Sequence, residues 1–244
     1  MHATGKSHIG KVREQNQDAY FLNPNGHGDL PNLFVVADGI GGHQSGDIAS
    51  NRALAAFCDF FDTHKAHEAL EMSLAEALQV ANVQVYNDSM SNEAFKGMGT
   101  TFSAASITAD KMHYVHVGDS RIYVIKENEI VQITKDHFTL TEDMVKEGLL
   151  TEEEAKDYPV SVLTRAIGTD PDVRIDRGQV RLEGVSHVMI CSDGLFGMID
   201  NDDEMFAIIK STDNTDEAVD KLIKAALDCG GRDNITVILI KCGE

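Results

Sequence analysis

The sequence predicts an α+β protein in which antiparallel sheets carry helix layers on their outer faces, because its strands come in clusters and its helices in pairs rather than in strict alternation. Short β-branched runs at 33–38 (LFVVAD), 101–108 (TFSAASIT), 111–119 (KMHYVHVGD), 121–126 (RIYVIK), 187–193 (HVMICSD) and 235–240 (ITVILI) read as strands. Helical spacing links Ile48, Ala49, Ala53, Ala56, Phe57 and Phe60, and then Leu70, Leu74, Leu78, Ala81 and Val85, which places a consecutive helix pair between strands. A third helical pattern, Ala218, Leu222, Ile223, Ala226 and Leu227, stops at Cys229-Gly230-Gly231, where paired glycines supply a C-cap before the last strand. Residues 137–160 break the pattern: they are polar and acidic, form helix readily and offer little to bury, so they read as an excursion or flap on the surface.

Length and composition narrow the function. A chain of 244 residues can bury a substantial core, and one domain over 1–244 is the simplest reading. Its formal net charge of −19 repels phosphate backbones and anionic lipid, which disfavours nucleic-acid or membrane-surface binding through bulk charge. Cys58, Cys191, Cys229 and Cys242 show no CxxC spacing, so neither a zinc knuckle nor a disulfide framework is signalled, and reduced cysteines in a cytosol fit best. The N-terminus has no apolar h-region and no run approaches a membrane span, so a cytoplasmic protein is expected.

The chemistry is carried by aspartates at strand boundaries. Asp38, Asp119 and Asp193 directly follow apolar runs, in VVAD-Gly, HVGD-Ser and ICSD-Gly; Asp18 precedes the apolar stretch Ala19 to Leu22, and Asp233 precedes ITVILI. Singly, each is an ordinary turn residue, and Asp-Gly is a common turn signal. Together they are harder to dismiss, since carboxylates gathered in one cleft repel each other until a cation joins them. Oxygen ligands of this kind suit Mg²⁺ or Mn²⁺, whereas a zinc site would add His or Cys. Gly39 lets the backbone approach a cation and offers its carbonyl. His43, on the same glycine-rich turn as Asp38, is the candidate general acid, and Arg13, five residues before Asp18, is a planar bidentate donor suited to phosphate. His64 and His67, placed on a helical stretch, and His113 and His116, in a strand, are expected to have solvated or structural roles.

Seven segments in order, IGKVREQNQD (9–18), VVADGIGGHQSG (35–46), GMGTTF (97–102), HVGDSRIY (116–123), LTRAIG (163–168), CSDGL (191–195) and RDNITV (232–237), resemble the metal-dependent protein phosphatases, also called protein phosphatase type 2C, and especially their stand-alone bacterial domains. The resemblance spans nearly the whole chain. It implies a central antiparallel β-sandwich flanked by helix pairs, a four-layer αββα arrangement with a small flap subdomain at about 137–160.

By the same resemblance, Asp38 would bridge two Mg²⁺ or Mn²⁺ ions, with Asp193 and Asp233 on one and Asp18 plus the Gly39 carbonyl on the other. Asp119 with Asp193 would hold a weaker third ion, Arg13 would bind the substrate phosphate, His43 would be the general acid, and Thr100 and Asn234 would support. The implied activity is hydrolysis of phosphoserine and phosphothreonine in proteins by a two-metal-activated water, opposing a kinase, in a monomer whose partners are kinase substrates or the kinase itself. A metal-dependent phosphodiesterase or nuclease would use a similar centre, but the −19 charge and lack of a basic groove count against it. The complete acid set likewise counts against a regulatory domain that kept the fold and lost turnover.

Overall fold

The computed structural model describes residues 1–41, 45–157, 161–199 and 201–243. Three strands, β1 (His2–His8), β2 (Asp18–Asn23) and β3 (Leu33–Ile40), lead into the helix pair α1 (Gly46–Thr63) and α2 (Leu70–Ser91). β4 (Gly99–Thr100), β5 (Phe102–Ile107), β6 (Lys111–Val117), β7 (Arg121–Ile125) and β8 (Ile130–Gln132) follow. The excursion contributes β9 (Phe138–Leu140), α3 (Thr141–Lys146) and β10 (Ser161–Leu163). β11 (Asp176–Arg181), β12 (His187–Cys191), α4 (Asp193–Phe196), α5 (Asp202–Lys210), α6 (Thr215–Asp228) and β13 (Ile235–Lys241) complete the described strands and α-helices.

One sheet runs β1-β13-β12-β7-β8 and the other β11-β6-β5-β3-β2, with β4 joined to β3. The strand period of two generates the layers. On β3, Leu33, Val35 and Ala37 pack outward against Ala49, Ala53, Phe57 and Leu78 of α1 and α2. The alternate residues Phe34 and Val36 pack inward against Ile122, Ile190 and Ile238 of the facing sheet. That second sheet turns Tyr123, Met189 and Leu239 outward to Leu195, Met205 and Leu222 of α4, α5 and α6. Helix, sheet, sheet and helix are therefore stacked in the expected αββα order. Strands buried on both faces appear in sequence as unbroken apolar runs, which is why β3 and β13 were readable.

Three strands at sheet edges are less plainly written in the sequence, two of them with no such run. β1 (HATGKSH) and β11 (DRGQVR) are polar edge strands whose existence is settled by pairing rather than by pattern, whereas β2, at the edge beside β3, keeps the apolar stretch Ala19 to Leu22. The strands before Asp119 and Asp193 end earlier than expected, at Val117 and Cys191, and Asp193 opens α4. β3 instead continues through Asp38 to Ile40. The placement of His64 and His67 on a helix is corrected: α1 ends at Thr63, His64 caps it through a backbone bond to the Phe60 carbonyl, and His67 lies in the following loop. α6 ends as expected, with the Gly230 and Gly231 amides donating to the carbonyls of Leu227 and Ala226 at 3.0 Å and both glycines at positive φ.

In the 137–160 excursion, residues 158–160 lie outside the described residues. β9 and β10 pair only with each other, and the Thr164 amide donates to the His137 carbonyl at 2.8 Å, so the two ends of the excursion are fastened side by side. Among the described residues, no helix is long and apolar enough to cross a membrane.

Phe57 is fully buried between α1 and the sheet, with ring centroids 4.9 Å from Phe102 and 5.5 Å from Phe61. Replacing it with alanine leaves a void that rigid strands cannot close, so Phe57→Ala is expected to lower unfolding free energy by about 3–5 kcal/mol, read from the urea midpoint.

Candidate metal and phosphate site

At one end of the sandwich the inward-facing columns change from apolar to polar. Phe34 and Val36 give way to Asp38 along β3, Val188 and Ile190 to Ser192 past β12, and Ile240 and Ile238 to Thr236 along β13. Asp18 stands directly opposite Asp38 in the β2–β3 pair, so both carboxylates share one face. Ser192 and Thr236 meet Asp18 from the facing sheet, their hydroxyls donating to its Oδ2 at 2.7 and 2.6 Å.

A cleft of about 200 Å³ opens at this end, walled by Arg13, Asp38, Gly39, Asp119, Asp193 and Asp233 among others. Asp18 does not line it and lies behind its wall, 8% exposed. A larger hollow of about 650 Å³ at the far end of the sandwich, between Ile107, Leu182 and Lys241, has no carboxylate side chain among the described residues that line it.

The backbone around the cleft is pressed together at glycines. A Cβ on Gly39 would lie 2.0 Å from the Gly46 carbonyl oxygen and 2.8 Å from that of Gln17, so only glycine lets β3 pass between the first turn of α1 and the Gln17 loop. A Cβ on Gly194 would lie 1.9 Å from the Asn234 carbonyl oxygen, which fixes how closely the Asp193 and Asp233 segments approach. Thr100 Oγ1 donates to the Asp38 carbonyl at 2.9 Å, and the Asp38 amide donates to Thr101 Oγ1 at 3.0 Å. Asn234 clamps the loop that carries Arg13: its Nδ2 donates to the carbonyls of Ile9 and Gln15 at 2.8 and 2.9 Å, and its Oδ1 accepts from the Gln17 amide at 2.8 Å. Buried Asn82 of α2 does the same for the 168–171 segment, accepting from the Gly168 amide and donating to the carbonyls of Asp170 and Pro171.

Charge is crowded here. Burial pushes the Asp18 carboxyl up to about 7, against the pull of its two hydroxyl donors. Burial and then the neighbouring Asp193 and Asp136 push Asp119 up to about 7 as well. Asp38 is held well above the ordinary carboxylate range by enclosure and by the charges of Asp18 and Asp193. Asp193 is raised by burial and by Asp233, and a hydrogen bond with Asp38 partly offsets this. Among the described residues, the only cation on the cleft wall is Arg13, whose Nη2 donates to Asp233 Oδ2 at 2.7 Å.

These features fit divalent cations. Asp18 Oδ1 and Asp193 Oδ1 are buried and find no hydrogen-bond donor among the described residues, which costs free energy unless a positive partner supplies what a donor does not. As they stand, the described His, Cys, Asp and Glu side chains form no group of three tight enough to hold an ion.

The structure thus brings Asp18, Asp38, Gly39, Asp119, Asp193, Asp233 and Arg13 to one end of the sandwich, together with Thr100 and Asn234. His43 lies outside the described residues. Sequence reasoning missed Ser192 and Thr236, the hydroxyls under Asp18, although Thr236 keeps the inward register of Ile238 and Ile240 and is the polar member of that column. Asn82, Gln17 and Leu163 were also missed: Gln17 and Leu163 stand inside two of the ordered segments but were given no role, and nothing in local pattern marks Asn82, whose partners lie far along the chain.

A family profile described as Protein phosphatase 2C matches residues 4–229. The serine/threonine phosphatase stp of Listeria welshimeri is 34% identical over 247 residues, covering 99% of this chain and 96% of its own. Protein phosphatase PhpP of Streptococcus pneumoniae is 34% identical over 242 residues, covering 97% and 95%. Among solved structures, the serine/threonine phosphatase Stp1 from Staphylococcus aureus superposes with a TM-score of 0.85 at 31% identity, over 99% of this chain and 95% of that one. The catalytic domain of the phosphatase PstP in complex with two manganese ions gives 0.76 at 29% identity, over 98% and 97%. With its fold, its ordered motifs and these matches in agreement, the chain belongs to the protein phosphatase 2C family.

Proposed function

We propose that this chain is a metal-dependent protein phosphatase that hydrolyses phosphoserine and phosphothreonine in other proteins. The observation that carries the reading is the group of four carboxylates, Asp38, Asp119, Asp193 and Asp233, facing one cleft with a single arginine on its wall. Such a cleft attracts divalent cations and, once they are bound, accepts a phosphate dianion that the bare carboxylates would repel.

In this reading Asp38, Asp193 and Asp233 would hold one Mg²⁺ or Mn²⁺, and Asp38 with the Gly39 carbonyl would hold a second. Asp18 contributes from behind the wall, and Asp119 with Asp193 takes a weaker third ion. When bound, the ions supply Lewis-acid activation of water at neutral pH and offset the phosphoryl charge. Arg13 orients the substrate phosphate. Its present pair with Asp233 is half exposed and worth at most about 1 kcal/mol, so exchange for a phosphate oxygen is inexpensive. Asn234 keeps the Arg13 loop in place during that exchange. His43 protonates the departing serine or threonine oxygen. The 137–160 excursion, followed directly by the strand whose last residue, Leu163, lines the cleft, acts as the flap beside the substrate. The natural substrates are phosphoproteins, kinase substrates or the kinase itself, met in the cytoplasm by a monomer.

Three measurements test this reading. A phosphothreonine peptide should be hydrolysed with Mn²⁺ or Mg²⁺ and not with chelator, and Asp38→Ala should lower that turnover by on the order of 10³-fold or more; activity that survives chelation overturns the proposal. Arg13→Ala should raise KM for the peptide by about tenfold, the scale of one hydrogen bond to a charged group, while leaving Mn²⁺ binding unchanged by calorimetry. Ion binding requires ionised carboxylates, and Asp18 and Asp119 hold their protons up to about pH 7 in the ion-free chain. The rise in melting temperature brought by a fixed Mn²⁺ concentration should therefore grow from about pH 6 to about pH 8. His116, with its ring held neutral down to about pH 4 by burial, does not contribute to this difference, because it is the same with and without the ion.

A further inference from the structure

Asp119 is held from both sides by a network that faces away from the cleft. Arg121, two residues on and the first of β7, turns its side chain toward the helix layer and grips Asp136 with Nε, at 3.1 Å to each carboxylate oxygen, and with Nη2, at 2.8 Å. Its Nη1 donates to the Tyr123 hydroxyl at 2.9 Å, which in turn donates to Asp202 at the start of α5 at 3.2 Å. The guanidinium carbon sits 3.7 Å above the centroid of the Phe196 ring. Phe196 is the last residue of α4, and Asp193 is the first. Asp136 is followed by His137, whose amide donates to the Gly118 carbonyl at 2.8 Å and whose Nδ1 accepts from the Gly118 amide at 3.1 Å. One guanidinium thus ties together the turn carrying Asp119, the short helix carrying Asp193 and the segment at the root of the flap.

We infer that Arg121 is a positioning residue, which fixes the carboxylates of Asp119 and Asp193 relative to each other by clamping the three segments behind them. The inference rests on the metal-binding reading of the cleft. Ordinary stabilisation would not require this arrangement, because a buried ion pair can be exchanged for apolar side chains without loss of stability. The planar fork offers something that an ammonium or a methyl group cannot: a face and an edge engaged at once, by Phe196 and by Asp136. The pair is screened little, with side-chain exposures of 20% for Arg121 and 11% for Asp136. Partners of this kind, one step removed from an ion, orient its ligands, and their loss costs affinity for the ion more than it costs the fold.

The test is Mn²⁺ titration calorimetry on the full chain, with Asp119→Ala identifying the binding event that depends on that ligand. Arg121→Lys keeps the charge and loses the fork, and it should weaken the Asp119-dependent event by about tenfold to a hundredfold while leaving the tighter binding near its wild-type value. Phe196→Leu leaves the Asp136 grip intact and should weaken the same event by about threefold, the scale of one cation–π contact. The melting temperature of each chelated variant is recorded beside its isotherm, and if Arg121→Lys does not fold, Phe196→Leu decides alone. Isotherms that superimpose on wild type overturn the inference. A wild-type protein with no Asp119-dependent event overturns it together with the ligand role of Asp119. Absence of peptide hydrolysis beside the expected isotherms leaves it standing and counts against the phosphatase reading alone.

Discussion

The structure depends on one electrostatic tension: carboxylates set at the end of an apolar sandwich, where burial disfavours their charge and each opposes its neighbours. The inward columns that build the core with Phe34, Ile190 and Ile238 are the same columns that deliver Asp38, Ser192 and Thr236 to the cleft. Core and site are therefore consecutive layers of one stack. The polar layer stays tolerable because hydroxyls, backbone amides and Arg13 each neutralise part of it, and the orphaned oxygens of Asp18 and Asp193 mark where that neutralisation stops short.

Precision at such a site comes mostly from the backbone. Gly39 and Gly194 each sit where any side chain would collide with a neighbouring carbonyl, so segments distant in sequence meet at van der Waals distance. Asn234 and Asn82 then fasten those segments with amide groups that can donate and accept at once, which a carboxylate or a hydroxyl of similar reach cannot do for three backbone partners. The glycines decide how close the loops come and the asparagines hold them there.

Much of this was legible from the chain alone, for identifiable reasons. The central strands and the long helices are buried on extended faces, and burial writes itself into sequence as apolar runs or helical spacing. β1 and β11 are edges whose outer groups meet solvent, so their sequences carry no such mark. Among site residues, the aspartates stood out because carboxylates beside apolar runs are costly without a purpose. Arg13, by contrast, was readable only from its spacing to Asp18 and from family resemblance. Asn82 and Arg121 act through partners dozens of residues away or through ring stacking, and no local pattern encodes either.

The side-by-side fastening of the excursion has a consequence for divergence. With β9 and β10 paired only to each other and Thr164 bonded to His137, the excursion leaves and re-enters the sandwich at nearly one point. Lengthening or shortening what lies between adds little closure entropy, because the ends are already together. The segment is in effect a cassette: its composition and length can drift, or be exchanged by grafting, without disturbing the two sheets. A lineage can thus alter what is presented beside the cleft while the chemistry beneath it is left untouched.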